Sequence, residues 1–333
     1  MIFKKYSFFS NKIILIKIFA LILIASTTYS QDIPIQKHNL TIGFNVGYLS
    51  DIYKCKDSVF FEIYEDGYRT LRIYEPFIKN DTDLNILKSR LGYLLEKNFK
   101  ILLCLSNFPY NNSFEPNKIT YPDKNKILKY SNRYPPDSPR DLSSYINKIK
   151  SILDYFPEYI SAGKLTFEIG NEPDAPRFYW GSYDQFFSLH RHTINLLRSH
   201  DIKPLCCGFT ANFMFNHSVS YFSNFFLDTS IINNVQISYH VYTNKIKSYT
   251  SNFLLQNTSV TEFGIFTRLY SWDYQKKYKL KNVFIPRFIL FLDFAYNNNI
   301  NEVYLFKIQD TANKKGKLGY FDELGNKKRS INN

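Results

Sequence analysis

Glycine is scarce in this sequence, with 12 residues in a chain of 333. Neither of the glycine-rich phosphate loops, G-x-G-x-x-G or G-x-x-x-x-G-K-S/T, occurs in it. Such loops bring backbone N–H groups close to nucleotide phosphates, and glycine is what permits that approach. The sequence therefore does not predict nucleotide binding.

Cysteine is rarer still. The four residues are Cys55, Cys104, Cys206 and Cys207. They are too few for a disulfide scaffold and lack metal-site spacing, and the last three lie in apolar, strand-like runs, which predicts buried free thiols. Export of the chain would also allow a bridge. Since His190 and His192 have no acidic or cysteine partners at ligand spacing, no metal or other cofactor is predicted.

A hydrophobic run of membrane-spanning length is also absent. Three lysines precede the apolar run 13–25, one lysine interrupts it, and small residues follow as far as Ser30. This layout is typical of a secretory signal peptide over residues 1–30, because the run is too short for a bilayer. An uncleaved anchor is the alternative. We expect residues 31–333 to form one domain that is secreted, periplasmic or held at the cell surface, with no stable membrane span.

The formal net charge is +13, but no dense Lys/Arg cluster with interleaved aromatics accompanies it. Short pairs such as Lys276-Lys277 are the exception. Nucleic acid is therefore not an expected partner, while an acidic glycan remains open. The oligomeric state is not predicted.

What the sequence does contain is a regular alternation of short apolar runs and longer segments of helical period. The predicted strands are 41–45, 69–74, 100–105, 164–169, 203–208, 235–240, 259–262 and 303–307. The predicted helices are 83–97, 142–156, 183–199 and 283–297. The apolar side of the first is predicted to consist of Leu84, Ile86, Leu87, Leu91, Leu94 and Leu95. Continuous apolar strands separated by helices indicate a parallel sheet covered on its outside. Eight such units predict an α/β chain folded as a (β/α)₈ barrel.

Chemistry in such a barrel lies at the carboxyl ends of the strands. The segment 106–140, rich in Asn, Pro and Tyr, follows the third strand. A connection of this length is usually functional or disordered, so it is interpreted either as a wall of the site or as a disordered loop.

Two glutamates end predicted strands at this same face. EIGNEPD places Glu172 after the fourth strand, and SVTEFG places Glu262 at the end of the seventh. Either glutamate alone would be an ordinary loop acid. Together they face one central mouth, where a paired acid and carboxylate can act.

This set of motifs resembles glycoside hydrolase clan A, the retaining barrel glycosidases that include families 5 and 39. The segments that carry the resemblance are the strand-two LRI, GNEPD after strand four, SYHVY on strand six, TEFG on strand seven and the closing KLGYFD. The resemblance implies that Glu172 is the acid/base and Glu262 the nucleophile in the hydrolysis of an oligo- or polysaccharide. Such cleavage needs one protonated carboxyl group and one carboxylate about 5–5.5 Å apart.

The remaining residues of the motifs are expected to support this pair. Arg72 and Tyr242 would hold Glu262 in its charged form, and Asn171 would hydrogen-bond a sugar hydroxyl. His240 would orient the acid/base, bind a hydroxyl or be a buried structural residue. Glu168 shares a strand face with Glu172, so it should point into the barrel one layer lower and pair with Arg72.

Aromatic and strand-end residues would complete the sugar site. Trp180 and Trp272, the only tryptophans, follow the two catalytic strands and are candidates for stacking on a sugar ring. The chain departs from the clan at Asn107, where several families have His, and at strand eight, where LFKIQD lacks the common Trp. The alternative function is a carbohydrate-binding protein on the same barrel that has lost catalysis.

Overall fold

The structure, a computed structural model, describes residues 40–48, 55–75, 81–105, 142–173, 183–210, 228–242, 258–264 and 291–306. All of them belong to one compact unit, Asn39–Arg329. The predicted signal peptide, the segment 106–140 and the first half of the predicted helix 283–297 lie outside these residues. No helix within the described ranges has the length and apolar character needed to cross a membrane.

Eight parallel strands close into a barrel in the order β1 to β8. They are β1 Thr41–Tyr48, β2 Thr70–Glu75, β3 Lys100–Leu105, β4 Leu165–Ile169, β5 Leu205–Thr210, β6 Gln236–Tyr242, β7 Ser259–Gly264 and β8 Glu302–Phe306. Strand β8 pairs with β1 in parallel, which completes the circle. The predicted (β/α)₈ fold is confirmed, with strand bounds shifted by three residues or fewer.

Helices connect the strands on the outside. They are α1 Asp57–Glu65, α2 Asp81–Glu96, α3 Leu142–Tyr155, α4 Pro157–Ser161, α5 Tyr183–Arg198, α6 Thr229–Ile232 and α7, residues 291–297. Helix α1 was not predicted, although Val59, Phe60 and Ile63 give it a buried face. The prediction for α2 needs one correction. Its five leucines are buried as expected, but Ile86, which was placed on the apolar side, is 37% exposed.

The barrel interior is apolar at one level and polar at the next. Leu102, Leu205 and Tyr304 form a buried cluster inside it. Gly43 leaves room for the Tyr304 ring, since a Cβ at this position would lie 2.8 Å from it. The polar level is built around Arg72, which is 0% exposed.

Three strands carry an extra residue relative to their neighbours. The register shifts lie between Asn45 and Gly47 on β1, between Cys206 and Phe209 on β5, and between Val260 and Glu262 on β7. Such bulges re-aim side chains and are frequent beside functional sites. Each of them here adjoins residues of the polar interior.

Candidate active site

Five of the predicted site residues meet at the carboxyl ends of the strands. Arg72, Asn171, Glu172, His240 and Glu262 are all buried, with exposures from 0% to 8%. Tyr242 is the last residue of β6. The Tyr242 side chain lies outside the described part of the structure, as do Asn107, Trp180 and Trp272. The described site is therefore the central cluster without its outer walls.

Arg72 is the hub of this cluster. Its Nε donates to Glu168 Oε2 at 2.6 Å and its Nη1 donates to Glu262 Oε1 at 2.7 Å. Its Nη2 donates to Asn171 Oδ1 at 2.8 Å and to Cys104 Sγ at 3.2 Å. One guanidinium thus joins side chains from strands β3, β4 and β7 with the turn after β4. These contacts need the several N–H donors of a planar guanidinium, which lysine does not have.

Burial and charge act in opposite directions on Arg72. Burial alone would lower its pKa, but the sulfur of Cys104 and the carboxylates of Glu168 and Glu262 more than offset this and raise the pKa well above its ordinary value. Arg72 therefore remains a cation inside the barrel. A permanent positive charge at this point favours the ionised form of the Glu168 carboxylate.

Glu168 is the carboxylate beneath the site. It is 0% exposed and receives Arg72 at Oε2, while Oε1 accepts the hydroxyls of Ser238 at 2.6 Å and Thr261 at 2.7 Å. Burial alone would raise the pKa of Glu168, but Arg72, His240 and the two hydroxyls outweigh burial and lower it. The predicted pairing of Glu168 with Arg72 is confirmed, and this buried acid is ionised with its oxygens satisfied.

Glu172 is held by its backbone as well as by its side chain. Its φ of +46° lies in the left-handed region, which is uncommon for residues other than glycine. Its N–H donates to the Gly208 carbonyl of β5 at 3.2 Å. Strained backbone of this kind persists only where the surroundings impose it, and it clusters at active sites.

His240 connects the two glutamates. Its Nδ1 lies 2.8 Å from Glu172 Oε1 and 3.5 Å from Glu262 Oε2. Its Nε2 faces the Nη2 donor of Arg72 at 3.4 Å. An acceptor is needed opposite an arginine N–H, so this arrangement favours the tautomer with the proton on Nδ1, which then donates to Glu172.

The two glutamate side chains are close neighbours. A carboxylate oxygen of Glu172, a carboxylate oxygen of Glu262 and a ring nitrogen of His240 all lie within 4.8 Å of one another. The sequence predicted a shared mouth for the two acids. In the structure they are in one buried cluster.

Asn45 on β1 belongs to the site but was missed by the sequence analysis. It is 1% exposed, and its Nδ2 donates to Glu262 Oε1 at 3.0 Å. A buried asparagine in an otherwise apolar strand was the one available signal, because buried amides need hydrogen-bond partners.

Gly208 provides the space for His240. A Cβ at this position would lie 2.6 Å from His240 Nε2 and 3.3 Å from Glu168 Oε1. The φ of Gly208 is +59°. Its N–H donates to Ser238 Oγ, which in turn donates to Glu168. Both the backbone conformation and the close approach of the His240 ring require glycine here.

We expect Gly208→Ala to lower the free energy of unfolding by about 2–4 kcal/mol, through backbone strain together with the clash against His240. Gly163→Ala is the matched control, since Gly163 has a φ of +65° but no atom within 4 Å of its added Cβ. The control should lose only the backbone part, about 1 kcal/mol. Urea denaturation measures both variants. Equal losses would contradict a steric role of Gly208 beneath His240.

The cysteines require one correction. Cys104 is a buried free thiol, as predicted, and Cys55 is buried as well. Cys206 and Cys207 are buried as well, but they form a disulfide with each other. Adjacent residues of a regular strand point to opposite faces, so a bond between them was not the expected arrangement. The disulfide directly precedes Gly208.

Two groups of side chains in the described residues are close enough to bind a metal ion. One is Glu172, His240 and Glu262, and the other is His190, Cys206 and Cys207. In the first, the guanidinium of Arg72 already lies 2.7 Å from Glu262 and would repel a cation. In the second, the two sulfurs are bonded to each other. We assign a metal to neither group.

Comparison with known proteins gives relatives at low sequence identity. No protein-family profile matches this chain. A curated alpha-1,4-L-rhamnosidase from Formosa agariphila is 22% identical over 228 residues, which are 66% of this chain and 44% of that protein. The chain thus spans less than half the length of this curated relative.

Solved structures share the barrel. A family 39 beta-xylosidase from Caulobacter crescentus aligns with 86% of this chain and 68% of its own, with a TM-score of 0.57 and 12% identity. A family 5 xyloglucan-specific endo-beta-1,4-glucanase from a metagenomic library aligns with 88% and 94% of the two chains, with a TM-score of 0.54 and 15% identity. The resemblance to barrel glycosidases of families 5 and 39 is therefore confirmed at the level of the fold.

Proposed function

We propose that the protein is a retaining glycoside hydrolase that cleaves O-glycosidic bonds of an oligo- or polysaccharide, with Glu172 as acid/base and Glu262 as nucleophile. The observation that supports it best is that one oxygen of Glu172 and one oxygen of Glu262 lie within 4.8 Å of each other in a buried cluster. Retaining enzymes need about 5–5.5 Å between the carboxyl groups, whereas inverting enzymes leave about 6.5–9.5 Å for a water molecule.

In the first step, the Glu262 carboxylate attacks the anomeric carbon while the glycosidic C–O bond breaks. Glu172 gives its proton to the departing oxygen. Because His240 Nδ1 donates to Glu172 Oε1, the transferred proton is assigned to Oε2. In the second step, Glu172 takes a proton from water, and the resulting hydroxide oxygen displaces Glu262 from the sugar.

Arg72 and Asn171 support this chemistry from below. Arg72 holds Glu262 in place through the 2.7 Å ion pair. The hydrogen bond from Arg72 to Asn171 Oδ1 orients this side chain, and we propose that it hydrogen-bonds a sugar hydroxyl beside the anomeric centre. A hydrogen bond at that hydroxyl strengthens in the transition state. Tyr242, Asn107, Trp180 and Trp272 are proposed to complete the sugar site.

The substrate class follows from the relatives only in outline. They comprise a rhamnosidase, a xylosidase and a glucanase, and these share the cleavage of a glycosidic bond but differ in the sugar. The net charge of +13 is compatible with an acidic glycan. We propose a carbohydrate substrate without assigning its monosaccharide.

The chain is proposed to act outside the cytoplasm, after removal of the signal peptide 1–30. The layout of residues 1–30 supports this location, because lysines precede a short apolar run and small residues follow it.

The stereochemistry of hydrolysis tests the mechanism. The probes are 4-nitrophenyl glycosides of rhamnose, xylose, glucose, galactose and mannose in both anomeric forms, and NMR of the first product formed is the measurement. We expect the anomeric configuration to be retained. Inversion would refute the assignment of Glu262 as nucleophile. Binding without turnover of any probe or of oligosaccharides would favour the carbohydrate-binding alternative.

The acid role of Glu172 predicts a dependence on the leaving group. Glu172→Ala should slow hydrolysis of a 4-nitrophenyl or alkyl glycoside by about 10²–10⁴-fold, because proton donation is lost. A 2,4-dinitrophenyl glycoside of the same sugar needs no proton, so its bond cleavage should be much less affected. Pre-steady-state kinetics with both substrates measure this step. A uniform loss for both leaving groups would contradict the assignment.

A further inference from the structure

Both polar atoms of the Asn45 side-chain amide form hydrogen bonds. Its Oδ1 accepts the Gly47 N–H at 2.8 Å, and its Nδ2 donates to Glu262 Oε1 at 3.0 Å. The contact with Gly47 settles which atom is the oxygen, since a backbone N–H needs an acceptor. The NH₂ group must therefore face the carboxylate.

The β1 bulge aims this side chain at Glu262. The register against β2 pairs Asn45 with Arg72 and then Gly47 with Ile73, so Val46 is the extra residue. The Gly47 N–H contact spans this bulge. The bulge therefore both bends β1 and orients the Asn45 side chain.

Asn45 and Arg72 contact the same oxygen of Glu262. Oε1 accepts Nη1 of Arg72 and Nδ2 of Asn45, whereas Oε2 lies toward His240, which also contacts Glu172. Two donors on Oε1 fix the carboxylate plane and draw negative charge to that atom. The side of the carboxylate that faces the acid/base is the Oε2 side.

On the basis of the proposed function, we infer that Asn45 is a positioning residue for the nucleophile: with Arg72 it anchors Glu262 through Oε1, so that Oε2 attacks the sugar. The bond that forms joins Oε2 to the anomeric carbon. The bond that breaks is the glycosidic C–O bond, and the leaving oxygen takes its proton from Glu172.

The charged and titratable groups around Glu262 define the electrostatic background. Arg72 of β2 is the nearest cation, and Glu168 and Cys104 act through it. His240 of β6 lies 3.5 Å from Oε2 and also contacts Glu172. Asn45 adds a neutral donor to this set. Its removal takes away one hydrogen bond to the ionised carboxylate and leaves every charge in place.

Two substitutions separate positioning from packing. Asn45→Ala removes the donor and the contact with Gly47. Asn45→Asp has nearly the same shape and keeps an acceptor for Gly47, but it replaces the donor with a carboxylate next to Glu262. If Asn45 only fills space, Asp should be the better replacement, whereas a positioning role makes Asp the worse one.

We expect kcat/KM on a 2,4-dinitrophenyl glycoside to fall by about 10- to 100-fold in Asn45→Ala, and further in Asn45→Asp at neutral pH. The loss should appear in the single-turnover rate of bond cleavage rather than in substrate binding, because the contact orients the attacking carboxylate. The matched controls are Asn234→Ala and Asn234→Asp, because Asn234 Nδ2 donates to the Ser230 carbonyl away from the site. The controls should leave this rate unchanged.

A second readout does not depend on turnover. In protein labelled with ¹³C at the glutamate carboxyl groups, the Glu262 signal is assigned with Glu262→Gln. In Asn45→Ala its chemical shift should move, because one hydrogen bond to Oε1 is lost. An unchanged shift, or Asp more active than Ala, would overturn the inference. If the wild type hydrolyses no probe, the proposed function and the attack by Oε2 both fail, and the chemical shift alone decides whether Asn45 holds Glu262.

Discussion

Glu262→Ala is expected to lower turnover of every active substrate by about 10⁴-fold or more, because the proposed nucleophile is lost. The variant should still fold, since Arg72 retains Glu168 and Asn171 as partners. Azide can enter the space left by the carboxylate and attack the anomeric carbon directly. Added azide should therefore restore part of the activity and yield a glycosyl azide of inverted configuration, detected by mass spectrometry and NMR.

The control for this substitution is Glu96→Ala. Glu96 is an exposed glutamate in the last turn of α2. This turn leads into the amino end of β3, whereas the site lies at the carboxyl ends of the strands. Its removal should leave turnover within the error of the assay. Activity of Glu262→Ala near that of the wild type, without azide, would exclude Glu262 as the nucleophile.

Arg72→Met is expected to cause the largest loss of stability among single substitutions in the described site. Methionine fills much of the same volume but leaves two buried carboxylates, Glu168 and Glu262, without their cation. Breaking a buried pair in this way costs about 3–5 kcal/mol. Urea denaturation at neutral pH measures it. Arg72→Lys should recover only part of the loss, because one ammonium cannot reproduce the contacts of the guanidinium fork.

The matched control is Arg191→Met. Arg191 forms an ion pair with Asp228 at 3.2 Å, but its side chain is 50% exposed. Exposed pairs contribute about 0–1 kcal/mol, so this variant should unfold close to the wild type. Similar losses for Arg72→Met and Arg191→Met would show that the buried cluster does not stabilise the barrel as described.

The low pKa of Glu168 gives the Arg72 prediction a pH dependence. A carboxyl group with a lowered pKa in the folded protein stabilises it above the unfolded value of 4.5, and this contribution is lost as the pH falls through the folded value. The wild type should therefore lose this stability only in acid. In Arg72→Met the cation that lowers the pKa is gone, so Glu168 should contribute instability at neutral pH that acid relieves.

The fold and the centre of the site were accessible from the sequence because both rest on simple periodicities. Apolar runs of strand length between helical segments gave eight strands and hence a closed barrel. Alternation along β4 placed Glu168 inside, where an acid needs a cation, and Arg72 was the available partner. The regular part of β4 contains no bulge, so the period of two held there.

The parts that could not be predicted lie where this period fails. Tyr239 and His240 of β6 pair with Val260 and Glu262 of β7. Thr261 is therefore an extra residue on β7. Thr261 and Glu262 consequently both face interior groups, although neighbours in a regular strand would face opposite ways. Asn45 was missed for the same reason, because it lies beside the bulge of β1. A bulge depends on the pairing of two strands, and no single stretch of sequence encodes it.

The contacts of Arg72 also bear on how the chain folds. Its partners lie 32 residues away at Cys104, 96 at Glu168 and 190 at Glu262. Contacts of such large sequence separation form slowly, because long loops must close before any of them is made. The cluster can be complete only once β7 has joined β2 across the barrel. The proposed site should accordingly form in an all-or-none manner at barrel closure, and a chain released before β7 is synthesised would contain the six strands β1 to β6 but no complete site.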